Sequence, residues 1–316
     1  MFKLICFGFF NITKICFNLN YILKDKNMEK IKKISDITLE QAREIALKSQ
    51  YTTIVVSNPE TQDESRIYYA NQLYKTKLAI ESFFRDMPEY DTADPNREMK
   101  IFTYIYTKLS EMVTYDHFAS EASNLSGYYL DRATDLLNEA ASAYGGLVKR
   151  SALCSGYSDT LLVLLESQNI KAKIISGGPK TRGEAMRTGT GSHAWNQVCL
   201  DGVWYNCDLT NDCDFIKEGL QAPYFLKSND DFRRYEQYPP KKPSMVESAS
   251  SSISAEQQEQ LITDAKKILE KERARLAEET QKANTTRQSA LNKKLPKFII
   301  KIISSLKKER SGEVEK

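Results

Sequence analysis

Histidine is scarce in this chain of 316 residues: there are two, His117 and His193. Cysteine numbers six, at positions 6, 16, 154, 199, 207 and 213, and no two form a Cys-x-x-Cys pair. This supply is too thin for a disulfide scaffold and argues against a Cys/His zinc site. Separate, reduced thiols fit best, which favours a reducing compartment. Long apolar runs are also missing. None approaches the ~18 residues that span a bilayer, and the mean hydropathy is −0.51. A polytopic membrane protein is excluded. With 41% hydrophobic, 10% aromatic and 28% charged residues, the chain is neither disordered nor collagen-like. Its length allows one large domain or two ordinary ones.

The net charge of +3 conceals an uneven distribution. Residues 1–33 carry +5, residues 241–316 carry +6, and residues 34–240 carry −8. An acidic middle argues against a nucleic acid partner, because phosphate binding needs clustered positive charge. The basic ends suit anionic surfaces.

In residues 1–27, Lys3 precedes an apolar run from Leu4 to Phe10. Asn11, Lys14, Asn18 and Asn20 then break the pattern, and no A-x-A-like cleavage site follows. Three readings stand: a misassigned start with Met28 as the true one, a degenerate signal, or an uncleaved anchor. A start at Met28 implies a cytoplasmic protein; the others imply a secreted or envelope-associated one. Residues 28–98 are expected to form a helical N-terminal region. Its helices span Thr38–Lys48 and Ile67–Arg85, with a strand at Tyr51–Val56 closed by Asn58-Pro59. Helical periods recur over Met99–Val113 and Leu130–Ala143. Their apolar stripes read as core. His117 reads as an ordinary loop residue.

Residues 239–253, rich in Pro, Ser and Lys, are expected as a linker between a domain at 99–238 and a charged helical tail at 254–316. Ser254-x-x-Gln257 has the form of a capping box and opens a helix reaching about Thr285. Ile262, Leu269, Leu276 and Ala283 recur every seven residues, a single stripe that a solvated helix explains as well as a coiled coil. Beyond Pro296, Ile299, Ile302, Ile303 and Leu306 share a face opposite Lys297, Lys301 and Lys308. The 296–308 segment suits peripheral contact with an anionic membrane, or docking on its own domain.

The chemistry lies between Ala140 and Phe232. Cys154 precedes an apolar helical run, Thr160–Leu165, and so stands at a helix entrance. Free N–H groups and the helix dipole stabilise a thiolate there. The bland alternative is a small buried apolar residue. Further on, Asp201-Gly202 separates two strand-like runs, a strong signal for a type I′ hairpin. A two-residue loop sets Leu200 opposite Val203, and by the same register Trp195 opposite Asp208 and His193 opposite Thr210. His193 and Asp208 then become diagonal neighbours on one face, about 7–8 Å apart at the backbone. The carboxylate is expected to take the Nδ1 proton and leave Nε2 as the base. Cys154, His193 and Asp208 together have the layout for nucleophilic acyl transfer. Cys199 and Cys207 fall on opposite faces within strands, and Cys213 is expected in a loop. None begins a helix.

At these residues the sequence resembles the transglutaminase-like superfamily, especially its bacterial members. The matching stretches are CSGYSDTLLVLLESQNI at 154–170, SHAWNQVCLDGVWYNCDLT at 192–210 and PYFLKSNDDF at 223–232, with Tyr115-Asp116 and AYGGLVKRSALC upstream. The resemblance covers roughly 100–238, and the order Cys-x-Gly-Tyr, His-Ala-Trp, Asp-x-Thr is its specific part. Ser158 stands where a small Ala is common. The resemblance implies a papain-like α+β core, with a Cys helix packed on an antiparallel sheet. It makes Cys154 the nucleophile, His193 the base and Asp208 the orienting carboxylate. It implies a protein or peptide amide substrate and no cofactor. The calcium use of animal members does not carry over, because no acidic calcium-loop spacing is present. The alternative function is an inactive binding or adaptor module of the same fold. A secreted effector that modifies a host protein is compatible with either. Within the enzyme reading, the Gly-rich loop 177–191 is expected to form an open rim, favouring hydrolysis over crosslinking.

One test needs only the tail. A peptide covering 296–308 should bind anionic vesicles in low salt and release as salt screens the lysines. Binding indifferent to lipid charge in a co-sedimentation assay contradicts the membrane reading.

Overall fold

The computed structural model describes residues 29–48, 52–56, 66–123, 125, 127–178, 191–232, 234–294 and 299. The chain divides into two compact units, residues 1–266 and 267–316. The first is an α+β fold.

At its centre is an antiparallel sheet ordered β6 (Ala172–Gly177), β7 (His193–Leu200) and β8 (Val203–Cys207). Asp201 and Gly202 both take positive φ, 50° and 85°. These are the values a type I′ turn requires, and they seat Leu200 opposite Val203 and Asn196 opposite Cys207. The register expected from the Asp-Gly turn holds that far. Helix α6 (Cys154–Ser167) packs across β6 and β7. It is apolar on nearly all sides, with Leu161, Leu162, Leu164 and Leu165 fully buried, as a helix enclosed by its domain must be. Helix α3 (Arg97–Met112) closes another side. Its stripe of Ile101, Phe102, Ile105 and Leu109 is wholly buried, and the rings of Phe102 and Tyr106 meet Phe225 at 5.5 and 5.2 Å.

The N-terminal region departs from the helical expectation for 28–98. It holds a three-stranded sheet, β1 (Glu29–Ile31), β2 (Thr53–Val56) and β3 (Arg66–Tyr69), followed by helix α2 (Ala70–Phe84). Helix α1 (Leu39–Lys48) forms as expected, with Thr38 and Gln41 exchanging side chain-to-backbone hydrogen bonds of 3.1 and 2.7 Å. The strand at 66–69 replaces the first turn expected of a helix from Ile67. Its Arg66 and Tyr68 point inward to a partner far away in sequence, the buried Asp159 of α6. Arg66 Nε lies 2.8 Å from Asp159 Oδ1 as an ion pair, and the Tyr68 hydroxyl donates to Oδ2 at 2.5 Å. The Ala143 N–H donates to the same Oδ2 at 2.8 Å. The N-terminal sheet is thereby tied to the helix that carries Cys154.

The segment 239–253, expected as a linker, is part of the first unit. The Gly178 N–H donates to Pro239 O, and the Lys241 N–H to Ser176 O, so the chain lies along the edge of β6. Gln197 pairs with the backbone of Glu247 in both directions, at 2.8 and 3.2 Å. Ala249 is buried, and the Ile253 N–H donates to Leu226 O. These partners satisfy backbone groups that a free linker leaves to water. Helix α8 runs over Ala255–Lys294, beyond the expected end near Thr285, and Ser254 and Gln257 form the expected box, at 3.2 and 3.0 Å. In the first unit Ile262 and Ala265 are buried, and the Gln258 amide donates to Ala222 O. The second unit is helical over 267–294, charged, and includes an Arg275–Glu279 pair. Apart from Ile299, the 296–308 segment lies outside the described residues, as do 1–28. Among the described residues no helix is long and apolar enough to cross a membrane.

Two truncations test the boundary. A chain ended after Lys266 should keep the near-ultraviolet dichroism of the whole protein. A chain ended after Tyr238 should melt at least about 10 °C lower, since it loses several buried hydrogen bonds and the cover of Ala249 and Ile262. Equal melting of the two shows that 239–266 is dispensable.

Candidate active site

The site begins at the head of α6. Leu153 is the N-cap residue, with extended backbone (φ −80°, ψ 172°), so the helix starts at Cys154. Its side chain anchors in a cluster with Ala119, Ala122, Leu137 and Ala140, and its N–H donates to Ala140 O at 2.8 Å. Ala119 and Ala122 belong to α4 (His117–Ala122), Leu137 and Ala140 to α5 (Tyr128–Ala140). The glycine of Cys-Ser-Gly-Tyr follows from this packing: a Cβ on Gly156 would stand 2.2 Å from Ala140 O. The Tyr115-Asp116 pair supports the same point. Strand β4 (Thr114–Tyr115) pairs in parallel with β5 (Ser151–Ala152), and Asp116 accepts from Ser151 Oγ at 2.9 Å while capping α4 at Ala119 N. His117, expected in a loop, is instead the exposed first residue of that helix.

His193 opens β7, opposite Gly177 of β6. Its Nε2 lies 2.8 Å from Asp208 Oδ2, with the carboxylate fully buried and the imidazole nearly so. The contact between these two residues is reached by a different route from the expected one. Sheet pairing stops at Asn196–Cys207, and Asp208 is the N-cap residue of helix α7 (Leu209–Lys217). Neither Trp195–Asp208 nor His193–Thr210 pairs as strand partners. The chain leaves the sheet because Leu209-Thr210-Asn211-Asp212 coils into α7, whose apolar Leu209 and Ile216 are buried. The ring is also turned the other way. Nε2, expected to be the free base, faces the carboxylate, and the Cys154 thiol is near enough to raise the basicity of the ring.

Burial by itself would lower the basicity of His193. The Asp208 carboxylate, its hydrogen bond and Cys154 together outweigh that, and the His193 pKa is raised from 6.5 to about 10. Two aromatic rings enclose the imidazole: Trp195 at 6.1 Å and Tyr238 at 5.0 Å. Tyr238 comes with the strand-edge segment, and its carbonyl would collide with any Cβ on Gly177, at 2.3 Å. The remaining described thiols differ from Cys154 in setting. Burial raises Cys199, Cys207 and Cys213, the last to about 12. Cys213 lies within α7 rather than in a loop.

Sequence reasoning passed over Asn211, Asp212 and Tyr238. Asn211 Nδ2 donates to Asp208 Oδ2 at 2.7 Å. Buried Asp212 accepts from the Tyr106 hydroxyl at 2.8 Å and from Tyr224 N at 3.0 Å; burial raises its pKa to about 8. A helix starting at Leu209 would have brought Asn211 and Asp212 to notice, being three and four residues past Asp208. No local pattern points to Tyr238. Among the described residues no three His, Cys, Asp or Glu are grouped to hold a metal ion. Residues 179–190 of the Gly-rich loop lie outside the described residues.

Residues 91–209 match the model of the transglutaminase-like superfamily. Curated proteins gave no match. Among solved structures, one similar chain is a candidate cysteine protease from Cytophaga hutchinsonii, at 13% identity, 43% coverage of this chain and a TM-score of 0.28. Another is described as a TGase, at 14% identity, 63% coverage and a TM-score of 0.31. This chain spans 37% of the length of each.

The raised basicity of His193 has a thermodynamic consequence. Its proton is held more tightly in the folded state (pKa about 10) than in the unfolded state (6.5). The stabilisation is complete below pH 6.5 and is lost as pH rises through about 10. Melting temperature should therefore fall across this window, and the fall should be shallower in Asp208→Asn. A wild-type profile no steeper than that of the variant contradicts the coupling.

Proposed function

We propose, from the premise that residues 91–209 form a transglutaminase-like domain, that the protein is a thiol enzyme acting on amide groups of proteins or peptides. Cys154 is the nucleophile, His193 the proton carrier and Asp208 the group that orients and charges the imidazole. One observation carries this reading: a buried ring meets a buried carboxylate at 2.8 Å, and Cys154, the first residue of its helix, is near enough to raise the ring's basicity.

His193 takes the proton of the Cys154 thiol. The Cys154 sulfur attacks the amide carbonyl carbon, and the carbonyl π pair moves to oxygen. The oxyanion lies toward the Cys154 N–H, which has no partner within its helix at that position. As the tetrahedral centre collapses, the C–N bond breaks and His193 gives its proton to the departing nitrogen. Ammonia or an amine leaves, and a thioester remains. The second half uses His193 as base. It takes a proton from water or from an incoming amine, the new bond forms at the thioester carbon, and sulfur departs as thiolate. A fixed Asp208 keeps the ring aimed through both halves. Hydrolysis, as peptidase or deamidase, is favoured over crosslinking, since water needs only access while an amine acceptor needs a groove of its own. No step calls for a cofactor.

Iodoacetamide should label Cys154 at least about tenfold faster than Cys199, Cys207 or Cys213 at neutral pH, as expected of a thiol paired with an imidazolium. Cys154→Ala and His193→Ala should abolish turnover of a Gln-containing peptide library, whereas Asp208→Asn should retain a residue of activity about 10²–10⁴-fold below wild type. Mass spectrometry with and without excess primary amine separates cleavage, deamidation and amine incorporation. Dominant amine incorporation overturns the preference for hydrolysis. An unreactive Cys154 with no product of any kind points to a binding module instead.

A further inference from the structure

Asp208 holds a position whose usual work it does not perform. An Asp at a helix N-cap ordinarily turns its side chain back onto the free N–H groups of the first turn. Asp208 makes no such side-chain capping bond in α7. Its Oδ2 faces outward to His193 Nε2 at 2.8 Å and accepts from Asn211 Nδ2 at 2.7 Å. Asn211 is the third residue of α7. Its backbone N–H bonds to Asp208 O at 3.2 Å, while its side chain takes the carboxylate. Asn211 Nδ2 and His193 Nε2 are 3.3 Å apart, two donors directed at one oxygen.

A carboxylate in this place has two competing sets of donors: the imidazole on one side and the helix N–H groups on the other. Rotation about its Cβ–Cγ bond and its χ1 exchanges them. We propose that Asn211 is a positioning residue, whose side-chain amide holds the Asp208 carboxylate on His193 and away from the helix terminus. The inference rests on the catalytic reading of Cys154 and His193. The helix fixes the Asn211 backbone three residues on, so its amide reaches the carboxylate from the same face. Besides the Asn211 amide, the groups that meet the imidazole are Cys154 from α6, Asp208 from the head of α7, and the rings of Trp195 and Tyr238. The further carboxyl group behind Asp208 is Asp212, which is bonded to Tyr106 and the Tyr224 backbone. None of these takes over the Asn211 bond.

The test is Asn211→Ala in the full chain, with nuclear magnetic resonance titration of the His193 ring; His117→Asn removes the other imidazole signal. Release of the carboxylate to cap α7 should lower the His193 pKa by at least about one unit and slow Cys154 alkylation about tenfold. The melting temperature should stay level or rise, because the helix regains its cap. Asn211→Ser, which keeps a shorter donor, should fall between. An unchanged His193 titration overturns the proposal, as does a stability loss in both variants, which marks Asn211 as structural. His193→Ala separates this from the parent reading. If it leaves alkylation at the wild-type rate, the catalytic site itself is misassigned. If it slows alkylation and Asn211→Ala does not, only the role of Asn211 fails.

Discussion

The contact between His193 Nε2 and Asp208 Oδ2 is the constraint around which this domain is arranged. It joins the first residue of one strand to the residue that leaves the next strand for a helix. Both partners are withdrawn from water, so the pair is strong only while its geometry is kept; a buried charge that loses its partner is costly. Much of the neighbouring structure keeps that geometry. Gly177 lets Tyr238 and Trp195 close on the ring, and α6 begins at Cys154, whose thiol raises the ring's basicity. The arrangement has a cost. The N-cap of α7 goes without the side-chain bond that is commonly worth about 1 kcal/mol.

A second buried charge plays the corresponding part for the Cys helix. Asp159 lies one and a half turns beyond Cys154 and takes Arg66, Tyr68 and the Ala143 N–H as partners. Removing β3 would strand that carboxylate inside the domain. The N-terminal sheet is therefore a structural requirement of the helix that presents the thiol. The strand-edge segment after Pro239 does similar work on the far side, completing β6 and supplying Tyr238. The family match at 91–209 contains all three proposed reactive residues but neither of these supports.

Much of the site was legible because its signals are local. Asp-Gly demands positive φ at both turn residues, so the hairpin register follows from two letters. An apolar run after Cys154 reads as a buried helix wherever it lies in the fold. Cys154, His193 and Asp208 each sit in a short pattern, Cys-x-Gly-Tyr, His-Ala-Trp and Asp-x-Thr, whose order along the chain carries the resemblance to the transglutaminase-like superfamily. The Ser254–Gln257 box marks the start of α8 within the local sequence.

What only the tertiary structure decided are the choices between two locally acceptable states. Residues 66–69 carry a sequence that suits a strand or the first turn of a helix, and Asp159, 90 residues or more away, selects the strand. Residues 239–253 look like a linker by composition, because Pro, Ser and Lys are judged by exposure; the edge of β6 and the Gln197 amide supply partners that no local pattern reports. The orientation of the His193 ring follows from where Asp208 stands, and Asp208 stands at a helix cap because burial of Leu209 and Ile216 ends the strand at Cys207. Local propensity set the residues of the site. The long-range burial of charge and apolar surface set which atom of each faces which.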